Sequence, residues 1–308
     1  MYIYAPSYYK KFVCIADKCK NSCCIDWEIA IDGETYEKYR RIGGELTENI
    51  TESDGCRCFE LKDGRCPHLT DSGLCDIIIN HGDGYLAEIC REHPRFYNDV
   101  SGRREAGLGL VCEEAARIIL TDGELFPYEV IGECTDTDTE CAYLSFGERD
   151  AVISSVLDPE KPLPDKIREL ESKYRVGVGI HSMEQWLDIF SELEILDGRW
   201  KSILDNAKKS EKLHNTEHLY PELSRALAYF IYRHVTPASS RDRMRASLGF
   251  ALLGVSVIAY ILERSESADT DALLSAARLY SSEIEYSEDN TAELIFEFEI
   301  SLSDWREA

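Results

Sequence analysis

Apolar and polar positions follow different rules in the two halves of this chain, and each rule predicts its own kind of structure. From Glu184 onward apolar residues recur at helical spacing. Trp186, Ile189, Phe190 and Leu193 share one helix face, and Leu223, Leu227, Phe230 and Ile231 share another. Ala272 to Ile284 and Thr291 to Ile300 read as two more helices. Ala246 to Leu262, ASLGFALLGVSVIAYIL, carries no charge and sits at the short limit of a membrane span. Its glycines, serines and tyrosine favour instead a helix buried at the centre of an α-helical domain. Arg241, Arg243 and Arg245 just before it leave peripheral membrane contact as the most that is expected.

Before residue 123 the pattern is broken by turn formers: Asp32-Gly33, Gly43-Gly44, Asp54-Gly55, Asp63-Gly64, Ser72-Gly73, Gly82 and Gly84. Trp27 to Ile31 alternates as a short strand would. Gly33 to Tyr39 starts a short helix, and Leu74 to Cys90 reads as helical turns interrupted at Gly82-Asp83-Gly84. Leu108 to Val111 reads as extended, with Cys112 opening a helix over Glu113 to Thr121, where the helix dipole favours a thiolate. Residues 123 to 175 are looser, with a polar run at Thr135 to Thr139 and a proline-rich break from Leu157 to Pro164. The expected fold is mainly α: a small irregular cysteine-rich metal-binding N-terminal part packed on an α-helical C-terminal domain. The expected divisions are 1-122 for the cysteine-rich metal or iron–sulfur region, 123-175 for a connecting segment and 176-308 for the α-helical domain.

Composition narrows the function classes. The chain has 308 residues, 44% of them apolar, which is enough to bury a sizeable core. A formal net charge of −24 repels DNA and RNA and excludes nucleic acid as a partner, while it suits a basic or lysine-bearing one. The start, Met1-Tyr2-Ile3-Tyr4-Ala5-Pro6, has no secretory pattern, so a cytoplasmic location is expected. The sequence does not fix the oligomeric state.

Ten of the 12 cysteines fall in residues 1-122. In a reducing compartment such a density points to metal ligands rather than disulfides. The first four are packed as Cys14-x4-Cys19-x3-Cys23-Cys24 and cannot share one face of a regular element. Cys66-Pro67 and Cys75 bracket a turn at Asp71-Ser72-Gly73, and Cys90 precedes Arg91-Glu92-His93-Pro94-Arg95. Zinc and a 4Fe–4S cluster each take four thiolates, and spacing does not choose between them. The three-cysteine spacing of radical enzymes, Cys-x3-Cys-x2-Cys, is not met, because after Cys19 and Cys23 the third position holds Asp26. Arg91 and Arg95 are candidates to neutralise a thiolate cluster or bind a cofactor carboxylate. His68 and His81 read as capping or packing residues. Cys134 and Cys141 read as buried small hydrophobes, and Cys56 and Cys58 are undecided. Gly107-x-Gly109 and Gly177-x-Gly179 are too sparse for an adenosyl or dinucleotide loop and read as turns.

At these residues the chain resembles the flagellin lysine-N-methylase family, which is related to a broader group of cysteine-rich proteins described as zinc- or iron-chelating. The resemblance runs through Phe12-Val13-Cys14-Ile15, Cys19, Cys23-Cys24 and Trp27, then Ile31-Asp32 and Thr35-Tyr36. It continues in Cys66-Pro67, Leu69, Gly73-Leu74-Cys75-Asp76-Ile77, Gly84, Leu86, Ile89-Cys90-Arg91, Pro94-Arg95 and Leu108 to Arg117, with a fainter echo at Ser281 to Tyr286. It implies a cytosolic protein-lysine N-methyltransferase acting on flagellin or another lysine-bearing protein. It also implies S-adenosylmethionine as methyl donor and a 4Fe–4S cluster, zinc being the alternative. Cys14, Cys19, Cys23, Cys24, Cys66, Cys75, Cys90 and Cys112 match the family's cysteine motif. The rival expectation is a non-enzymatic zinc or iron–sulfur module whose helical domain binds a partner.

Overall fold

The computed structural model describes residues 1–53, 55–100, 103–122, 124–135, 145–236 and 240–307. In chain order the elements are β1 (Tyr2–Pro6), α1 (Gly33–Ile42), α2 (Glu45–Glu48), β2 (Ile50–Ser53), β3 (Cys56–Phe59), α3 (Asp76–His81), α4 (Glu88–Glu92), β4 (Arg95–Val100), β5 (Arg103–Leu108), α5 (Glu113–Arg117) and β6 (Tyr128–Glu133). Then follow α6 (Phe146–Leu157), α7 (Leu163–Tyr174), α8 (Met183–Glu192), α9 (Gly198–Lys209), α10 (Tyr220–His234), α11 (Arg241–Arg264), α12 (Thr270–Tyr280) and α13 (Glu288–Glu307). The protein is mainly α with a small β component.

The chain forms two compact units. One holds Phe12–Phe96 with Cys112–Glu114, and the other holds Met1–Lys11, Tyr97–Val111 and Ala115–Ala308. The cysteine-rich unit is therefore smaller than the 1-122 region, although each cysteine expected in that region falls inside it. Within 123-175 the described residues carry β6, α6 and α7, which fall in the larger unit. The proline-rich stretch marks only the corner between α6 and α7, with proline in the first turn of α7 as its missing N–H allows.

In the larger unit a four-stranded sheet has the order β4-β5-β1-β6. β1 runs parallel to β5, with Ile3 opposite Arg104, and antiparallel to β6. Glu105 on β5 and Arg149 on α6 are both fully buried and joined by two parallel hydrogen bonds of 2.7 Å. Arg103 approaches the same carboxylate at 2.8 Å and lies over the rings of Tyr4 and Phe146 at 4.4 Å. Neutralising a carboxylate that has left water requires such paired, well-aligned donors.

The apolar stretch Ala246 to Leu262 lies within α11, which packs against α9, α10, α12 and α13. It is the one helix among the described residues long and apolar enough to cross a membrane, and 78% of its most apolar window is buried inside the unit. Gly249 lets α13 come close: a Cβ there would stand 2.5 Å from the Phe298 ring. α12 passes into a π-helical turn, Ser281–Glu285, that buries Glu283 and Glu285. The Glu285 carboxylate accepts from His234 Nε2 (2.6 Å) and the Tyr229 hydroxyl (3.0 Å). Arg233 donates to the Tyr229 oxygen (2.8 Å), which also accepts from Leu110 N–H (3.3 Å). Gly107 lies inside β5, and a Cβ on Gly109 would fall 2.3 Å from the Tyr286 hydroxyl and 3.1 Å from Arg233. Neither glycine serves a turn as expected: the first extends a strand and the second makes room for packed side chains.

The cysteine-rich unit has its own core of Ile29, Ile31, Tyr39, Leu46, Phe59, Cys66 and Ile77. Asp32 caps α1 by accepting from Thr35 N–H and also accepts from Glu88 N–H at the start of α4, each at 2.9 Å. Partial burial opposes its charge, but these N–H donors prevail and hold its pKa down to about 2. Trp27 to Ile31 keeps its alternation, with Ile29 and Ile31 turned inward. It does not form a continuous strand: its pairing with β3 amounts to Ile31 N–H on Arg57 O (2.7 Å) and Phe59 N–H on Ile29 O (3.1 Å).

Candidate metal centre

A cavity of about 300 Å³ opens in the cysteine-rich unit. It is lined by all of the eight expected ligands except Cys66, which lies buried in the core with Cys24, Cys75 and Cys90 packed beside it. The apolar walls include Phe12, Trp27, Leu74 and Ile89, and Ile78, Ile79 and Ile89 form an exposed rim. None of the described cysteines forms a disulfide.

Local backbone structure sets these thiols. Cys66 N–H donates to Cys24 O at 2.8 Å, Leu69 N–H donates to Cys66 O at 3.0 Å, and Leu69 pairs with Cys75 across the turn. Thr70 closes that turn by accepting from Leu74 N–H (3.0 Å) and donating to Leu74 O (2.9 Å). Cys75 stands at the N-cap of α3 and Cys90 lies within α4. Glu113 clamps the loop after Cys19, accepting from Lys20 N–H (2.8 Å) and Asn21 Nδ2 (3.2 Å), with the Cys19 thiol 3.7 Å away.

Burial pushes the Cys66 thiol up to about 12 while the His68 N–H, directed at its sulfur, pulls the other way. Burial raises Cys75 too, opposed by the N–H groups of Ile78 and Ile77. Burial raises Cys90 to about 12 and Cys19 to about 11. Cys23 and Cys24 hydrogen-bond each other. The bond from Cys23 is the main cause that lowers Cys24, with Ser22 and Arg65 acting in the same direction. The same bond and burial raise Cys23. Backbone N–H groups aimed at sulfur are poorly used by a thiol, a weak acceptor, and well used by a thiolate. Burial outweighs these N–H groups, so the Cys66 and Cys75 sulfurs are thiols at pH 7.

As the side chains stand, no three His, Cys, Asp or Glu residues among the described ones converge on a single ion. A cysteine rotamer change swings its sulfur by roughly 3 Å, which is the scale of adjustment that closure around an ion takes. The donor set is all sulfur, matched to zinc or to iron–sulfur chemistry rather than to calcium or magnesium.

The remaining expected residues are placed as follows. Arg91 and Arg95 do not line the cavity: Arg91 lies 3.6 Å from Glu92, and Arg95 stacks on Phe12 and donates to Arg91 O. Arg65, which directly precedes Cys66 in the chain, acts on the cavity sulfur of Cys24. His68 is buried against Phe59, its Nδ1 2.9 Å from Asp76, and His81 packs on Tyr85, as expected of packing residues. Burial, then Arg95, lowers His93 to about 4, so it is neutral at pH 7. Cys56 and Cys58 lie on β3 with sulfurs 3.4 Å apart and outside the cavity lining. Cys134 is half-buried rather than buried, its backbone N–H donating to Met1 O at 2.9 Å, and Cys141 lies outside the described residues. No protein-family model, curated protein or solved structure matches the chain.

Proposed function

We propose that this protein is an S-adenosylmethionine-dependent protein-lysine N-methyltransferase acting on flagellin-like substrates, with a 4Fe–4S cluster held by cysteines of the cavity. The observation that supports a metal is the gathering of Cys14, Cys19, Cys23, Cys24, Cys66, Cys75, Cys90 and Cys112 in and beside one apolar-walled cavity. Methyl transfer itself rests on the resemblance carried by those same residues. A bound cluster supplies an iron that can hold the donor's amino acid moiety or pass an electron.

The chain's own residues have a separate task. A lysine ε-amine is protonated at pH 7, with an unperturbed pKa of about 10.4, and attacks a methyl group only when neutral. The exposed rim of Ile78, Ile79 and Ile89 removes water from an incoming lysine, which favours its uncharged form. The net charge of −24 draws a basic substrate towards the protein. A cytoplasmic site of action goes with this reading, since thiols of this kind stay reduced there.

One observation favours the rival, a non-enzymatic metal module: Gly107 is in a strand and Gly109 is packed against Tyr286, so this glycine pair forms no donor-holding loop. The test is anaerobic incubation of the full chain with labelled S-adenosylmethionine and flagellin. Label on lysine is the expected result. Intact visible cluster absorbance with no label refutes the methyltransferase and leaves the metal module.

A further inference from the structure

We infer that Cys56 and Cys58 form a reversible oxidation site: hydrogen peroxide joins their two sulfurs in a disulfide, and the strand that carries them then loosens its hold on residues 29–31 beside the cavity. Neither cysteine lines the cavity, so the inference stands apart from both metal binding and methyl transfer.

The geometry is that of an attacking thiol with a resolving thiol behind it. Cys56 and Cys58 lie two residues apart on β3, so their side chains leave the same face of the strand. Their sulfurs are 3.4 Å apart and hydrogen-bond each other. Cys56 is exposed, where a small oxidant reaches it, and Cys58 is buried.

The chemistry balances with peroxide as the only oxidant. The Cys56 sulfur, as thiolate, attacks one peroxide oxygen and the O–O bond breaks. Hydroxide leaves and takes up the proton that the Cys56 thiol gave away, forming water, and Cys56 holds a sulfenic acid. The Cys58 sulfur then attacks the Cys56 sulfur, the S–O bond breaks, and a second water leaves with the Cys58 proton. Two thiols and one hydrogen peroxide become one disulfide and two waters. A cellular dithiol reverses the step by thiol–disulfide exchange, becoming oxidised as both thiols re-form. Reversal of this kind is what a reducing compartment imposes on a sensing disulfide.

Oxidation cannot leave the strand as it is. Two strand rises separate the Cα atoms of such a pair by roughly 6.4–6.8 Å, and their Cβ atoms stand about as far apart. A disulfide holds its Cβ atoms at about 3.5–4.5 Å. The difference is taken up at Arg57, the residue between them. Arg57 O accepts from Ile31 N–H at 2.7 Å, Ile29 O accepts from Phe59 N–H at 3.1 Å, and Ala30 pairs with Cys58. These contacts hold residues 29–31 to β3, and Ile29 is part of the cavity wall. A strand drawn in at Arg57 gives up the Ile31 bond first.

The test uses the full chain, reduced, freed of reductant and treated with an equimolar amount of hydrogen peroxide. Free thiols are then alkylated in denaturant and the chain is cut with a lysine-specific protease. Peptide 39–62 contains Cys56 and Cys58 as its only cysteines, so its mass reads this pair alone. After peroxide it is expected to be lighter by two hydrogens and to carry no alkyl group, and dithiothreitol is expected to restore both alkylation sites. Cys58→Ser is expected to stop at a sulfenic acid that dimedone labels on Cys56, and Cys56→Ser to leave Cys58 fully alkylated. The wild-type peptide decides the matter even where a variant fails to fold. Amide hydrogen exchange at Ile31 is expected to speed up several-fold in the oxidised protein. Both cysteines still alkylated after peroxide, or either one bridged to a different cysteine, overturns the site. A disulfide that leaves Ile31 exchange unchanged overturns its link to the cavity wall.

Discussion

Gly109→Ala inserts a single methyl group where the structure has no room. The added carbon would fall 2.3 Å from the Tyr286 hydroxyl and 3.1 Å from both Arg233 Nη1 and the Tyr286 ring. Normal contact needs about 3.4 Å or more, so something must move by about 1 Å. Little nearby is free to give way. Arg233 is held to the Tyr229 oxygen at 2.8 Å and stacks on Tyr286 at 4.9 Å, and Tyr229 is itself tied to buried Glu285. Overpacking of this kind costs about 1–3 kcal/mol. Reduced freedom of the unfolded chain returns about 0.4–1 kcal/mol for a Gly-to-Ala change. The net effect is a loss of roughly 1–2 kcal/mol, which for a unit of this size lowers its melting temperature by roughly 2–8 °C. Far-UV circular dichroism on heating, with urea titration alongside, reads this directly. Tyr286→Phe removes the nearest clashing atom, so the double variant should lose at least about 0.5 kcal/mol less than the sum of the two single losses. An unchanged or higher melting temperature for Gly109→Ala, or strict additivity with Tyr286→Phe, refutes the reasoning.

Other consequences are equally open to measurement. Arg149→Met leaves buried Glu105 without its bidentate partner and is expected to destabilise the larger unit by about 3–5 kcal/mol in urea titration, whereas replacing Glu105 as well should recover part of that loss. Burial raises the Glu283 carboxyl to about 7, so the folded state holds that proton more tightly than the unfolded chain does. Its stabilising contribution is complete below the ordinary carboxyl range and is lost as pH rises through about 7; Glu283→Gln should flatten the pH dependence of stability between pH 5 and 8. On the proposed metal binding, treating the protein with a strong chelator should make residues 12–96 the first sites of limited proteolysis, because a bound metal contributes folding free energy to its own scaffold. On the proposed methyl transfer, raising salt from 0.05 to 0.5 M should raise KM for a flagellin substrate several-fold, as screening weakens the pull of an acidic surface on a basic substrate.

The helices were readable because their information is local. Leu223, Leu227, Phe230 and Ile231 all turn inward on α10, and Trp186 and Phe190 do so on α8. The break at Gly82 falls between α3 and the turn that leads to α4. The four-stranded sheet was not readable. β1 needs β5, about a hundred residues away, as its parallel partner, and β5 opens on Arg103, Arg104 and Glu105, a run that reads as surface until Arg149 supplies the counter-charge. Trp27 to Ile31 shows the reverse error: its alternation is real and marks an inward face, but a face needs no ladder. In the candidate site the thiols were legible from their density alone. Arg65 was not, because its relation to Cys24 is made by the backbone pairing of Ile25 with Arg65 and of Cys24 with Cys66.

The cysteine-rich unit is discontinuous, since Cys112–Glu114 belong to it while Tyr97–Val111 do not. A ribosome that has delivered residues 12–96 has therefore made a body still lacking Cys112 and the Glu113 clamp on the Cys19 loop. Those residues emerge only after β5 has been synthesised. The nascent unit must wait, unfinished, for a later stretch of message, and a gene fragment ending at Phe96 encodes a vessel without its final wall.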